Sequence, residues 1–91
     1  MPILTSTHTL GTAVSVIASG DNMPQDVWVH NAESSENTEA FIGNADVTPE
    51  TGMHIHSGET FMFTLGPGDV LFGVSGQGTP VLTVMQIQKE D

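Results

Sequence analysis

The chain has 91 residues, which is room for one small domain. Eleven carboxylates stand against a single cation, Lys89, and the formal net charge of -10 excludes nucleic acid and anionic membrane as direct partners, because neither phosphate surface can be neutralised. The absence of cysteine excludes a disulfide framework, a thiolate metal site and a cysteine nucleophile.

The opening Met1-Pro2-Ile3-Leu4-Thr5-Ser6-Thr7-His8 has no positive charge and no continuous apolar stretch, so it reads as no secretory signal. Residues 1–10 are either an N-terminal arm or a first strand. No apolar run is long enough to cross a bilayer, and the expectation is a soluble protein made in the cytoplasm. Thr12–Ala18 is rich in β-branched residues and stops at Ser19-Gly20-Asp21-Asn22. Asp26–Asn31 alternates, with Val27 and Val29 on one face and Trp28 and His30 on the other. The acidic, turn-prone stretch Ala32–Glu39 is an exposed loop, followed by a strand at Ala40–Gly43 and a turn through Asn44-Ala45-Asp46.

Met53–His56 is a short extended segment before the turn Ser57-Gly58. Thr60–Leu65 places Phe61, Phe63 and Leu65 in phase, and Asp69–Val74 does the same for Val70, Phe72 and Val74. Pro67-Gly68 between them has the chemistry of a tight turn, with Gly taking the positive φ. The two strands therefore read as a hairpin whose shared face, Phe61, Phe63, Val70 and Phe72, is the centre of the core. Gly76-Gln77-Gly78 makes a further turn, and Val81–Ile87 is the last strand. This pattern predicts an all-β chain: one β-sandwich domain over residues 1–91, Ig-like or jelly-roll-like, with about six to eight short antiparallel strands.

The strongest candidate for chemistry is His54-x-His56 followed by Glu59, since a His-x-His pair on a strand points both imidazoles to one face. Cupin barrels hold a divalent metal with such a set, and Gly66 falls at a cupin-like distance beyond Glu59. Only Ser57 and Gly58 separate His56 from Glu59, which is shorter than the cupin spacing, and no histidine follows His56 to complete the set. His54, His56 and Glu59 are therefore metal candidates against an expectation of no metal and no cofactor. Asp21, Asn22 and Asp26, and Asp46 with Glu50, lack the ligand alternation of a Ca²⁺ loop and read as solvated turn residues. Ser75 has no downstream histidine to act as its base, and the chain is not expected to be an enzyme.

The order Val27–Asn31, then Phe41-Ile42-Gly43-Asn44-Ala45-Asp46-Val47-Thr48, then Gly52 and Ser57-Gly58-Glu59, then Leu65-Gly66-Pro67-Gly68-Asp69-Val70-Leu71-Phe72, resembles a group of small virion proteins of tailed bacteriophages. The resemblance covers about residues 26–88, most of the chain. It implies a β-sandwich on the capsid surface of a virion: a decoration (cement) protein that binds the major capsid protein and stabilises the shell, or else a tail or head-fibre component. Such a protein sits naturally at local three-fold positions, so a homotrimer is the implied assembly. The residues expected at its interfaces are Trp28, Phe41, Met53, Ile55 and Met62, with core packing as the competing role for Trp28 and Phe41. With so many carboxylates, docking is expected to need basic residues on the shell or bridging cations. The rival readings are a small cupin-like metal-binding enzyme resting on His54, His56 and Glu59, and a carbohydrate-binding sandwich with Trp28 as its stacking platform.

Overall fold

The computed structural model describes residues 3–20, 24–32 and 38–88. They form eight strands: β1 (Ile3–Thr9), β2 (Ser15–Ser19), β3 (Gln25–Asn31), β4 (Glu39–Gly43), β5 (Met53–Ile55), β6 (Thr60–Leu65), β7 (Val70–Gln77) and β8 (Val81–Gln88). Two four-stranded sheets result, the first in the order β1-β8-β3-β6 and the second in the order β2-β7-β4-β5. Every pairing is antiparallel. Only β4 and β5 are consecutive strands that pair with each other, while every other connection passes from one sheet to the other. First pairs with last, second with seventh, third with sixth and fourth with fifth. This nested order is that of a double-sheet jelly roll, not of an Ig sandwich.

The alternation read from the sequence sets which side chains fill the space between the sheets. In β3, Gln25, Val27, Val29 and Asn31 point inward and are buried, while Asp26, Trp28 and His30 point outward. Leu82 and Val84 of β8 lie beside them in register. With Leu10 and Ile55, the four residues Val27, Val29, Leu82 and Val84 are wholly inaccessible and form the centre of the core. Phe61 and Phe63 pack against this cluster from the edge strand β6.

The expected β6–β7 hairpin does not form. The turn at Pro67-Gly68 is present, with Gly68 at φ +84° and the Gly66 amide donating to Asp69 Oδ2 at 2.9 Å. Its flanking strands nevertheless separate, β6 to β3 and β7 to β2 and β4. A central strand of a sandwich with covering on both sides has two apolar faces, and in β7 the inward one is Leu71 and Gly73. Phe72 and Val74 face away from the main core into a second cluster with Phe41 and Val47, and Val70 is 38% exposed. The centre of the core is therefore valine and leucine together with Ile55, with Phe61 and Phe63 at its margin and Val70 and Phe72 outside it.

Residues 3–9 are the first strand, paired with β8 along their full length. Of the expected acidic loop, residues 33–37 lie outside the described residues, and Glu39 already belongs to β4. Buried polar groups tie the sheets together. Asn31 Nδ2 donates to the Ile55 carbonyl at 2.9 Å, and Gln86 Nε2 donates to the Ser19 carbonyl at 3.0 Å and to Gln25 Oε1. Each such group would cost free energy if buried without a partner. The bonds to the Ile55 and Ser19 carbonyls fix how one sheet sits on the other, and the bond from Gln86 to Gln25 joins β8 to β3 within the first sheet.

Candidate functional site

The register places the outward residues of the first sheet in rows. Trp28 lies between Met85 of β8 and Met62 of β6, with Thr5 of β1 beyond Met85. On one side of this row, Asp26 lies between Ile87 and Thr64, with Ile3 beyond Ile87. On the other side, His30 lies between Thr83 and Thr60, and its Nδ1 is 2.8 Å from Thr60 Oγ1. Asp26 is the one carboxylate that the described strands place on this face, and it accepts from Thr64 Oγ1 at 3.0 Å. The result is a band of Ile3, Ile87, Met85, Trp28 and Met62, nearly free of charge on an otherwise acidic chain. Met62 is exposed and Trp28 is half-buried within the row.

Of the five expected interface residues, the fold brings Trp28 and Met62 together here. Met53 is exposed at the start of β5 in the other sheet. Ile55 is not available to a partner: it is the inward residue of β5 and is fully buried. Phe41 is not available either. It points out of the second sheet, but the β4–β5 connection folds back over it and leaves it 8% exposed against Val47 and Val74. That fold-back depends on Gly52, where a Cβ would stand 2.7 Å from Val47 Cγ2 and 2.9 Å from Phe41 Cβ. No periodicity argument could show this covering, because it comes from a loop.

His54, His56 and Glu59 do meet. His54 stacks on Phe41 with ring centroids 4.6 Å apart, and His56 lies over His54 with centroids 4.0 Å apart and a 36° tilt. Glu59 Oε1 accepts from the His56 amide at 2.7 Å and lies 2.9 Å from His56 Nδ1. The backbone N–H of His56 and then its side chain hold the Glu59 carboxyl below its ordinary pKa. Imidazole lone pairs lie in the ring planes, so rings in a stack direct them side by side and not at one point. Among the described residues no three metal-ligating side chains converge. The arrangement staples a turn: the Glu59 carboxylate closes the Ser57-Gly58 corner, while the His54 ring stacks on Phe41 and the His56 ring lies against His54.

The other expected polar sites are placed as follows. Asp46 lines an open hollow of about 250 Å³ with Gly43, Asn44, Val47 and Thr51, and its amide donates to Asn44 Oδ1 at 3.0 Å. Glu50 is exposed in the same connection, while Asp21 and Asn22 lie outside the described residues. Ser75 is buried and donates to the Gly78 carbonyl, which secures the β7–β8 turn. Sequence reasoning missed Gln25, Asn31 and Gln86. Their signal was available: a polar residue in phase with buried valines on a strand must find a partner across the core.

No family model and no curated protein matches this chain. Among solved structures it is similar to a protein of Bacillus endospore appendages, described as forming a novel family of disulfide-linked pili. The TM-score is 0.59 at 9% sequence identity, and the match covers 98% of this chain and 87% of that one. At that identity the similarity concerns the fold, and it agrees with the β-sandwich derived above.

Proposed function

We propose that this chain is a structural assembly protein, and that its setting is a bacteriophage virion, where it decorates the capsid by binding the major capsid protein. The observation that carries the reading is the band of Trp28, Met62, Met85, Ile87 and Ile3 on the outer face of the first sheet. A surface patch that is apolar, rigid and depleted of charge is suited to protein contact. Trp28 is its anchor, since a tryptophan offers much contact area from only two torsions, and the flanking methionines adapt to the partner's surface. With one carboxylate on this face, docking does not require basic residues on the shell. The function would be mechanical: each copy adds interface area across neighbouring shell subunits, so that internal pressure must break more contacts.

Retention on purified shells tests the reading. The protein should co-sediment with expanded shells and repeat across them in electron micrographs, and Trp28→Ala should weaken retention by about 2 kcal/mol, some thirtyfold. Retention unchanged in Trp28→Ala, or no binding to shells, would overturn it. A second reading, a filament subunit, is supported by the fold similarity to the appendage protein across nearly the whole chain. Without cysteine, such a filament would be held without disulfide bonds between these segments. Micrographs of the native source showing filaments in place of decorated shells would select it.

A further inference from the structure

The first twenty residues contain no Asp, Glu, Lys or Arg, although the whole chain carries eleven carboxylates. The same stretch holds Ile3, Leu4 and Val16, exposed by 61%, 60% and 51%, and Val14, also exposed. The fold puts them on two edge strands at the same side of the sandwich: Ile3 and Leu4 on β1, facing out of and into the first sheet, and Val16 on β2, facing out of the second sheet in register with Phe72. β1 ends the first sheet and β2 ends the second, and β2 lies alongside β8, next to β1, through the bond from Gln86 to Ser19. Leu4 is in register with Gln86, so it lies on the inward face of β1, yet β2 does not cover it.

A free sheet edge offers unpaired N–H and C=O groups, and proteins ordinarily guard it with charge, proline or a bulge. β2 has such a bulge, between Val16 and Ala18. β5 is three residues long, and β6 starts beside Glu59, with Asp69 in the turn that follows it. Within Ile3–Thr9 there is no Asp, Glu, Lys, Arg, proline or bulge to guard β1: its seven residues pair without irregularity to β8, and among the described residues no strand pairs with its other side.

We propose that two copies of the chain associate through this flank about a two-fold axis, with β1 pairing antiparallel to β1 of the second copy. Full overlap of residues 3–9 puts the axis at Ser6, so Ser6 faces its own equivalent, Thr5 faces Thr7, Leu4 faces His8 and Ile3 faces Thr9. The occupant is a second copy because of charge. A chain of net charge -10 can approach itself only where carboxylates are absent, and a basic partner would find nothing here to pair with. The pairing joins two first sheets into one continuous sheet and sets Leu4 beside His8 of the second copy. It leaves the Trp28 face open, and it does not depend on the shell-binding reading.

Sedimentation velocity on the free full-length protein tests the pairing, separately from any shell. The unsubstituted chain should show a concentration-dependent dimer. Ser6→Lys and Ser6→Glu each set like charges across the axis and should weaken the dimer about tenfold or more, whereas an equimolar mixture of the two should restore it. Met62→Lys, on the other edge of the same sheet, should leave it unchanged. Hydrogen exchange on the unsubstituted chain needs no variant: amides of residues 3–9 should slow as concentration rises, and those of β6 should not. A protein that stays monomeric, a dimer indifferent to Ser6→Lys, a mixture that fails to restore it, or equal sensitivity to Met62→Lys would each overturn the pairing.

Discussion

Glu59 is exposed, yet it takes up two donors of His56, its amide and its ring, and this is what lowers its carboxyl pKa. A carboxyl with a depressed folded pKa stabilises the folded state above its unfolded value, and that contribution disappears as pH falls through the folded value. Thermal melts of the protein and of Glu59→Gln should therefore differ at pH 6 and converge as pH falls below 4.5, the ordinary value of this group. A difference undiminished at the lowest pH at which both proteins still fold would show that Glu59 acts by packing and not by its charge. Nearby, Phe41 is enclosed by Val47, Val74 and the ring of His54. Phe41→Ala should cost about 3 kcal/mol in urea unfolding, since it empties the second cluster beneath the β4–β5 connection. A cost under about 1 kcal/mol would mean that this connection is held by its own turn bonds alone.

At the scale of the strand, the two faces of β7 decide where stability lies. Its inward face and the inward faces of β3 and β8 meet in the core, whereas Val70 looks out toward solvent. Leu82→Ala should cost about 2–5 kcal/mol, because a fully buried leucine leaves a cavity that the surrounding strands cannot close. Val70→Ala should change stability by no more than about 0.5 kcal/mol. Chemical denaturation of both variants checks this assignment. Equal losses would mean that β7 is turned over by one residue, since a slip of one exchanges every side chain between the faces of a strand.

For the whole molecule, charge is the governing quantity. Self-repulsion among carboxylates destabilises the compact chain and opposes its association, and both effects are screened with a Debye length of about 8 Å at physiological salt. Melting temperature and dimer fraction should both rise with added NaCl, as read by calorimetry and sedimentation over the same series. Dissociation of the dimer as salt rises would show that attractive charge pairs hold it, contrary to the charge-free β1 edge. Retention on shells through the Trp28 face should change little over that series, because the face carries one carboxylate.

The period-two pattern and the Gly and Pro turns by themselves determined an all-β fold, most strand positions and the outward placing of Trp28 and His30. These are local properties, set by the alternation of side chains along an extended backbone. The placement of His54, His56 and Glu59 near one another was equally legible, because they are neighbours in sequence. Tertiary structure alone decided that β6 and β7 part into different sheets, since a tight turn specifies a change of direction and not which strand pairs next. It also decided that Phe41 is roofed by a loop, that Ile55 lies at the centre of the core, and that the two imidazoles stack instead of converging. The unguarded flank of β1 and β2 belongs to both levels. Its lack of charge is written in the first twenty residues, but only the nested strand order puts those residues together on an open edge.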